Sequence, residues 1–400
     1  MNVLMIFEYM PPFITGAYNR GLFYYNYFSK RANCFKVISC DFYDIKKKDH
    51  EYLKNVIYIK KEEKSKMSKL PQKLLNIGKI EFFTDNAWIN DAINEIEKDV
   101  NFVPDIILIS FPSYNSIKLT NYLKKKYPMS KIILDLRDPL ISYSSNSYFN
   151  IKSLIDKFTS KKIEKKIISF YDIVITVSLF EKNRIENVYK RKCYKLYTGY
   201  AENNNKNLQN SNLQNSKDNN INIGYFGSFS YSDKSRKISK LNNFFKFVTK
   251  YNENNNIKIE FYFYGRFTKD EINIMNRYSC CHYAGIITDK LEEKMNQYDA
   301  LLIFNNNNYK GIITGKVFDY MKVGKPIILY SDQEIELVDI VEKKGGLWLN
   351  KNNINNETID KIISLKNKKI NYCEYSWEAN EKFLDDILLP DKERKQATWN

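Results

Sequence analysis

Four hundred residues with 43% hydrophobic and 15% aromatic side chains exceed what one growing core accommodates, so two globular domains are expected and a disordered chain is excluded. The net charge of +16 points to anionic partners and is uneven: residues 1–200 hold 34 Lys and Arg against 21 Asp and Glu, a balance of +13, whereas residues 201–400 hold 29 against 26, a balance of +3. Nucleic acid and an anionic membrane surface both fit such a balance, as does a coding bias that enriches Lys, Asn, Ile and Tyr alike. Six cysteines (Cys34, Cys40, Cys193, Cys280, Cys281, Cys373) form no C-x-x-C pair and only His50 and His282 are present. Neither a zinc site nor a disulfide framework is expected, and a reducing cytoplasm fits.

The first expected element is a buried strand, Val3–Phe7, without a basic leader or a cleavage site, and no later run of about 18 apolar residues suggests a membrane span. A proline- and glycine-bearing loop follows, Pro11 to Arg20, with Gly16 inside it. Further strands are expected at Phe35–Cys40, Val56–Ile59, Ile106–Ser110, Ile132–Leu136 and Ile173–Val177, with helical-period segments between them, which is the pattern of a parallel sheet wrapped by helices. Ligands of such sheets bind beyond the carboxyl ends of strands, which selects Gly16 and the pair Arg137-Asp138 before Pro139. That pair also reads as an internal salt bridge fixing a loop. From Ile151 to Ile168, apolar residues recur at helical spacing beside lysines 152, 157, 161, 162, 165 and 166. Such a helix lies on anionic lipid or packs on its own domain with its lysines in water; both readings stay open.

Residues 201–220 break the pattern: they are rich in Asn and contain the tandem repeat Asn207-Leu208-Gln209-Asn210-Ser211 and Asn212-Leu213-Gln214-Asn215-Ser216. This composition reads as a flexible linker or loop between a domain over 1–200 and a second over 221–375. Strands resume at Ile221–Phe226, followed by Gly227-Ser228, and at Ile259–Tyr264, followed by Gly265-Arg266. The stretch Ser230 to Lys240 is basic and includes Arg236 and Lys237. After a strand at Ala300–Phe304 comes Thr314-Gly315-Lys316-Val317-Phe318-Asp319, read as a helix N-terminus capped by Thr314, with Gly315 allowing close approach, Lys316 supplying charge and free first-turn amides facing an anion. Asp319 lies one turn on, suited to hydroxyls of ribose or sugar; an ordinary capped helix with solvated Lys and Asp is the alternative. A Walker A loop is excluded, because Lys310 stands where its first glycine is required and Val317 follows the lysine. Pro326–Tyr330 is a last strand, Trp377 to Leu389 a last helix within 376–390, and residues 391–400 a charged tail.

These segments, in this order, resemble the retaining GT-B glycosyltransferases of the large bacterial family 4 type, glycosyl transferases group 1. The carriers are the first loop, Ile132-Ile133-Leu134-Asp135-Leu136-Arg137-Asp138-Pro139, Asp172-Ile173-Val174-Ile175-Thr176-Val177-Ser178, Gly224-Tyr225-Phe226-Gly227-Ser228, Tyr264-Gly265-Arg266, Ala284-Gly285-Ile286-Ile287, Asp299-Ala300-Leu301-Leu302-Ile303 and the Thr314 segment. The resemblance implies an α/β GT-B fold, two Rossmann-like domains with parallel sheets facing a cleft, and a C-terminal helix crossing back to the first domain. It implies transfer of a sugar, with retention, from a nucleotide sugar, UDP- or GDP-linked, to a glycan or lipid-linked acceptor, in the cytoplasm or on the inner face of the membrane. Divalent metal, other cofactors and nucleic acid are not expected. Carried over residue by residue, Asp138 and Arg137 face the sugar or acceptor. Gly16, Gly227, Ser228, Arg236 or Lys237, Gly265, Arg266, Thr314, Gly315, Lys316 and Asp319 hold the donor, and the backbone at Ile287 reads its base. One position departs: the first of the family's two carboxylates falls on Gly311, and no Asp or Glu occurs between Ala300 and Phe318. A binding module without catalysis, an inverting transferase and a sugar-nucleotide epimerase are therefore alternatives.

Overall fold

The computed structural model describes residues 1–12, 18–41, 53–60, 85–111, 113–138, 161–202, 219–229, 238–287, 289–305, 310–311 and 313–389. The chain divides into two compact units, Met1–Thr198 and Gly199–Asn400.

The first unit runs β1 (Asn2–Ile6), α1 (Tyr18–Arg31), β2 (Cys34–Asp41), β3 (Val56–Lys60), α2 (Asn86–Glu97), β4 (Ile106–Phe111), α3 (Tyr114–Lys126), β5 (Lys131–Leu136), α4 (161–169), β6 (Ile173–Thr176), α5 (Leu179–Tyr189) and β7 (Tyr194–Lys195). All pairings are parallel, in the order β3-β2-β1-β4-β5-β6-β7. The central strands are mostly apolar and buried along their length, as in parallel sheets covered on both faces: every residue of β4 is buried, and so is all of β5 after Lys131, with Ser110 and Asp135 the polar exceptions. Helices start where a side chain can accept a first-turn amide: Asp85 caps α2 through Trp88 N (3.2 Å), Ser113 caps α3 through Ser116 N (3.2 Å) and Ser178 caps α5 through Glu181 N (3.2 Å). In α4 the amphipathic expectation is met on its inner side, since Ile167 and Ile168 are buried in the core while Lys161, Lys162, Lys165 and Lys166 are exposed. Lys152 and Lys157 lie outside the described residues. Lys124 Nζ, at the end of α3, donates to the Phe170 carbonyl (2.9 Å), and Lys126 pairs with Glu97 (3.2 Å).

The second unit runs β8 (Ile221–Phe226), a 3-10 turn (Ile238–Leu241), α6 (Asn242–Asn254), β9 (Ile259–Tyr264), α7 (Lys269–Met275), β10 (Cys281–Tyr283), α8 (Leu291–Asn296), β11 (Ala300–Phe304), α9 (Lys316–Val323), β12 (Ile327–Tyr330), α10 (Glu336–Lys343), β13 (Leu347–Leu349), α11 (Asn356–Ile363) and α12 (Trp377–Leu388). Its sheet is also parallel, in the order β10-β9-β8-β11-β12-β13. Its core is unusually aromatic: Phe244, Phe245, Phe261 and Phe263 interlock between α6 and the sheet, with edge-on Phe245–Phe263 rings 5.9 Å apart. Trp377 N donates to Tyr200 O (2.8 Å) and Tyr200 N to Tyr375 O (3.2 Å), so α12 begins against the first residues of this unit.

Both sheets share one order, two strands to one side of the first and the rest to the other. Each therefore has a point where the connections diverge, between β1 and β4 and between β8 and β11, and loops at the carboxyl ends of these pairs are where such sheets receive ligands. Three strands lack a counterpart in the sequence reading, β7, β10 and β13, and all three are sheet edges two or three residues long. Pro326, expected to open β12, stays outside it; without an N–H it contributes only its carbonyl, which accepts from Leu301 N (2.9 Å).

Candidate functional site

In the second unit, β8 and β9 are each followed directly by a glycine with positive φ, Gly227 (134°) and Gly265 (141°), and Gly285 (84°) follows β10 by two residues. Backbone bonds carry the ladder past the strand ends: Gly227 N to Tyr264 O (2.8 Å) and Gly265 N to Gly285 O (2.9 Å). The rim is too tight for side chains, since a Cβ on Gly265 would come within 2.0 Å of Gly227 O. A Cβ on Gly227 would fall 2.0 Å from Lys316 Nζ. Lys316 thus lies across the glycine at the end of β8, at the divergence point of the sheet.

Two tyrosines determine that placement. On α9, Tyr320 is one helical turn after Lys316, so both project toward β8. Tyr320 Oη accepts the Phe226 N–H (2.9 Å) from a fully buried position, and burial pushes its phenol well above the ordinary tyrosine range. Lys316 Nζ donates to Tyr225 Oη (3.2 Å) and sits 4.7 Å from the centre of the Tyr225 ring. The Tyr225 hydroxyl donates onward to Ser228 O (2.9 Å), while its ring stacks on Phe229 (4.7 Å, 2°). Neither tyrosine was singled out from the sequence; the signal present was only that Tyr225 stands two residues before Gly227.

The helix start differs from expectation in two respects. Gly315 itself occupies the N-cap, in right-handed helical conformation, and no side chain caps α9, so Thr314 is not the cap. The amides of Val317 and Phe318 are already bonded to Thr314 O (3.2 Å) and Gly315 O (3.0 Å), because the first turn is wound tightly enough for i to i+3 pairing. Two first-turn amides thus do not face outward. Asp319 is half-buried beside Tyr320, Arg266 is exposed directly after Gly265, and Ile287 is half-buried after the exposed Ile286. Gly311 is buried. Gly16, Arg236 and Lys237 lie outside the described residues.

In the first unit the corresponding edge holds a buried carboxylate, Asp135 on β5. It accepts from Arg20 Nε (2.8 and 2.9 Å to its two oxygens), Arg20 Nη2 (2.5 Å), Tyr24 Oη (3.1 Å) and, at 3.5 Å, Ser110 Oγ. Arg20 Nη1 donates to Leu196 O (2.8 Å). Arg20 is 1% exposed and Asp135 0%. Burial pulls the arginine down, but Asp135 more than compensates and it stays charged. Arg137, half-buried, donates from Nε to Ser110 Oγ (3.0 Å) and Phe111 O (3.3 Å). Among the described residues it forms no ion pair with Asp138, so the internal salt bridge considered from sequence is not made. Asp138 is exposed beside it; crowding by protein raises its carboxyl and Arg137 opposes the rise.

No protein-family model matches this sequence, and no curated protein does. The likeness is to solved structures. The N-terminal domain of the Candida albicans trehalose-6-phosphate phosphatase superposes with a TM-score of 0.61 at 14% identity, over 97% of this chain and 96% of that one. The lipopolysaccharide outer core galactosyltransferase WaaB gives 0.57 at 14%, over 97% and 99%. The E. coli trehalose-6-phosphate protein bound with UDP-2-fluoro glucose gives 0.51 at 12%, over 97% and 95%. The fold is GT-B. No helix among the described residues is long and apolar enough to cross a membrane.

Proposed function

We propose that this protein is a glycosyltransferase that moves a sugar from a nucleoside-diphosphate sugar, UDP- or GDP-linked, to a glycan or lipid-linked acceptor in the assembly of cell-surface polysaccharide or lipopolysaccharide, with retention at the anomeric carbon. The observation that carries the reading is the seat of Lys316 on the Gly227–Gly265 rim at the divergence point of the second sheet. A sugar leaving a nucleoside diphosphate deposits negative charge on the phosphate oxygens, and a cation already in place there lowers the barrier without reorganising at the moment of reaction. Lys316 takes that role. Glycines at 227 and 265 let the phosphates approach backbone, Asp319 accepts from ribose hydroxyls, the backbone near Ile287 reads the base, and Arg137 with Asp138 faces the acceptor. Retention and the family 4 assignment rest on the sequence resemblance. The galactosyltransferase and the UDP-2-fluoro glucose complex among the similar folds support the donor class.

Gly311, where relatives carry a carboxylate that contacts the transferred sugar, leaves that contact to Thr314 or to backbone. The lysines of α4 and Lys124 to Lys126 suit an anionic membrane at the cytoplasmic face. A thermal-shift screen against UDP, GDP and their sugars tests the reading: a ligand at one hundred times its Kd raises stability by about 2.7 kcal/mol. Binding of a nucleotide sugar followed by transfer to acceptor is expected. Failure of every nucleoside diphosphate to stabilise the chain would remove the transferase reading, and epimerisation of a bound sugar without acceptor would replace it.

A further inference from the structure

Around Asp135 the charges do not cancel. Arg20 surrounds the carboxylate through Nε and Nη2, and Tyr24 and Ser110 occupy what is left of its acceptor capacity. Arg137 reaches Asp135 only through the Ser110 hydroxyl, which accepts from Arg137 Nε and donates to the carboxylate. A guanidinium has five N–H donors in a planar fork, one on Nε and four on the terminal nitrogens. Among the described residues, only the Nε donor of Arg137 has a protein partner, and the neighbouring Asp138 forms no ion pair with it. Two arginines thus share one buried aspartate. Burial lowers the guanidinium of Arg137 below the ordinary arginine value although Asp135 and Asp138 pull the other way. A partly desolvated charge with four unengaged donors is costly to keep in a fold unless something else meets it. It stands directly after β5, at the edge of the sheet where ligands of this architecture bind.

We infer that Arg137 is an oxyanion-binding residue whose terminal nitrogens take a phosphate or carboxylate group carried by the acceptor, so that the acceptor is an anionic sugar or an anionic lipid-linked glycan. The planar fork matches either group with two parallel hydrogen bonds, a match lysine does not offer. Ser110 and the Phe111 carbonyl hold Nε and orient the fork, and the saturation of Asp135 by Arg20 prevents an internal carboxylate from occupying it. The inference takes from the proposed transferase only that an acceptor exists; the anion site itself does not depend on the donor.

The test uses the full chain with inorganic phosphate and with acetate as probes, at ionic strength held constant with chloride, and reads the unfolding temperature. A rise with phosphate assigns a phosphate-bearing acceptor and a rise with acetate a carboxylate-bearing one. Arg137→Gln is expected to weaken the responding anion by about tenfold or more. Without anion it should unfold at the same or a higher temperature, because an under-compensated charge has been removed. A purely structural arginine would give a lower one. Arg137→Lys keeps the charge and loses the fork; it should bind with intermediate affinity and carries the test if the Gln variant does not fold. The part of the response that Arg137→Gln removes should persist in Lys316→Ala. The idea is overturned if neither anion stabilises the wild type, if Arg137→Gln responds as the wild type does, or if Lys316→Ala abolishes the same response, which would assign the anion to the second unit. Should nucleoside diphosphates fail to bind while the Arg137-dependent response persists, the transferase reading falls and the anion site stands.

Discussion

Each unit sets a cation against a strand of its parallel sheet, Arg20 against β5 and Lys316 against β8, and the two are treated in opposite ways. In the first, Arg20 of α1 is 1% exposed and closed around Asp135. In the second, Lys316 of α9 is half-buried and leans on a neutral phenol and a ring face, above a glycine that leaves it room. A charge buried against its counter-charge is shut off from a ligand, whereas a half-buried charge at a strand end stays within reach of one. The contrast lies in exposure: Arg20 is closed inside the joint at Asp135, while Lys316 keeps access to solvent.

The comparison breaks most visibly at Asp135. Removing this carboxylate with Asp135→Ala strands Arg20 in the core and should cost about 3–5 kcal/mol, read as a lowered denaturant midpoint. A loss under about 1 kcal/mol would show that Arg20 rearranges to solvent and that the joint is not structural. Lys316→Ala is its counterpart: little change in stability, but nucleoside-diphosphate affinity lowered roughly tenfold or more, since a charge-assisted hydrogen bond contributes about 1.5–3 kcal/mol. Calorimetry giving equal affinities for variant and wild type would take Lys316 out of the site. Gly227→Ala sharpens the same point without touching the charge. Its Cβ would lie 2.0 Å from Lys316 Nζ, so the flexible lysine must move, and affinity should fall nearly as far as in Lys316→Ala.

Smaller effects separate the neighbours. Asp319→Asn preserves shape and one acceptor oxygen, so it should weaken donor binding less than Asp319→Ala; complete inactivation by both with donor affinity intact would give Asp319 a chemical role instead. Tyr225→Phe keeps the stack on Phe229 and deletes only the hydroxyl that receives Lys316, for an expected loss of about 0.5–1.5 kcal/mol in nucleotide affinity. Combined with Lys316→Ala it should add almost nothing, as expected for two groups acting through one contact. Additive losses in that double variant would show that Tyr225 acts independently of the lysine.

What the amino-acid sequence determined by itself is everything written in local terms. Largely apolar runs such as Ile106–Ser110 and Ile132–Leu136 announce buried strands, because period and composition are properties of five or six consecutive residues. Glycines directly after strands marked the rim at Gly227 and Gly265, since a left-handed turn has few other occupants. The short edge strands escaped for the complementary reason: Tyr194–Lys195 and Cys281–Tyr283 are held by one neighbour and carry no pattern long enough to read. Lys316 and Arg137 were legible as charges near strand ends, but their fates were not. Only the tertiary structure decided that Arg20 would meet Asp135 across 115 residues and that Lys316 would meet Tyr225 across 91. Those encounters are set by strand order and helix docking, as when Tyr320 bonds to Phe226 N, and the free energy that selects them comes from packing and desolvation of groups far apart in the chain.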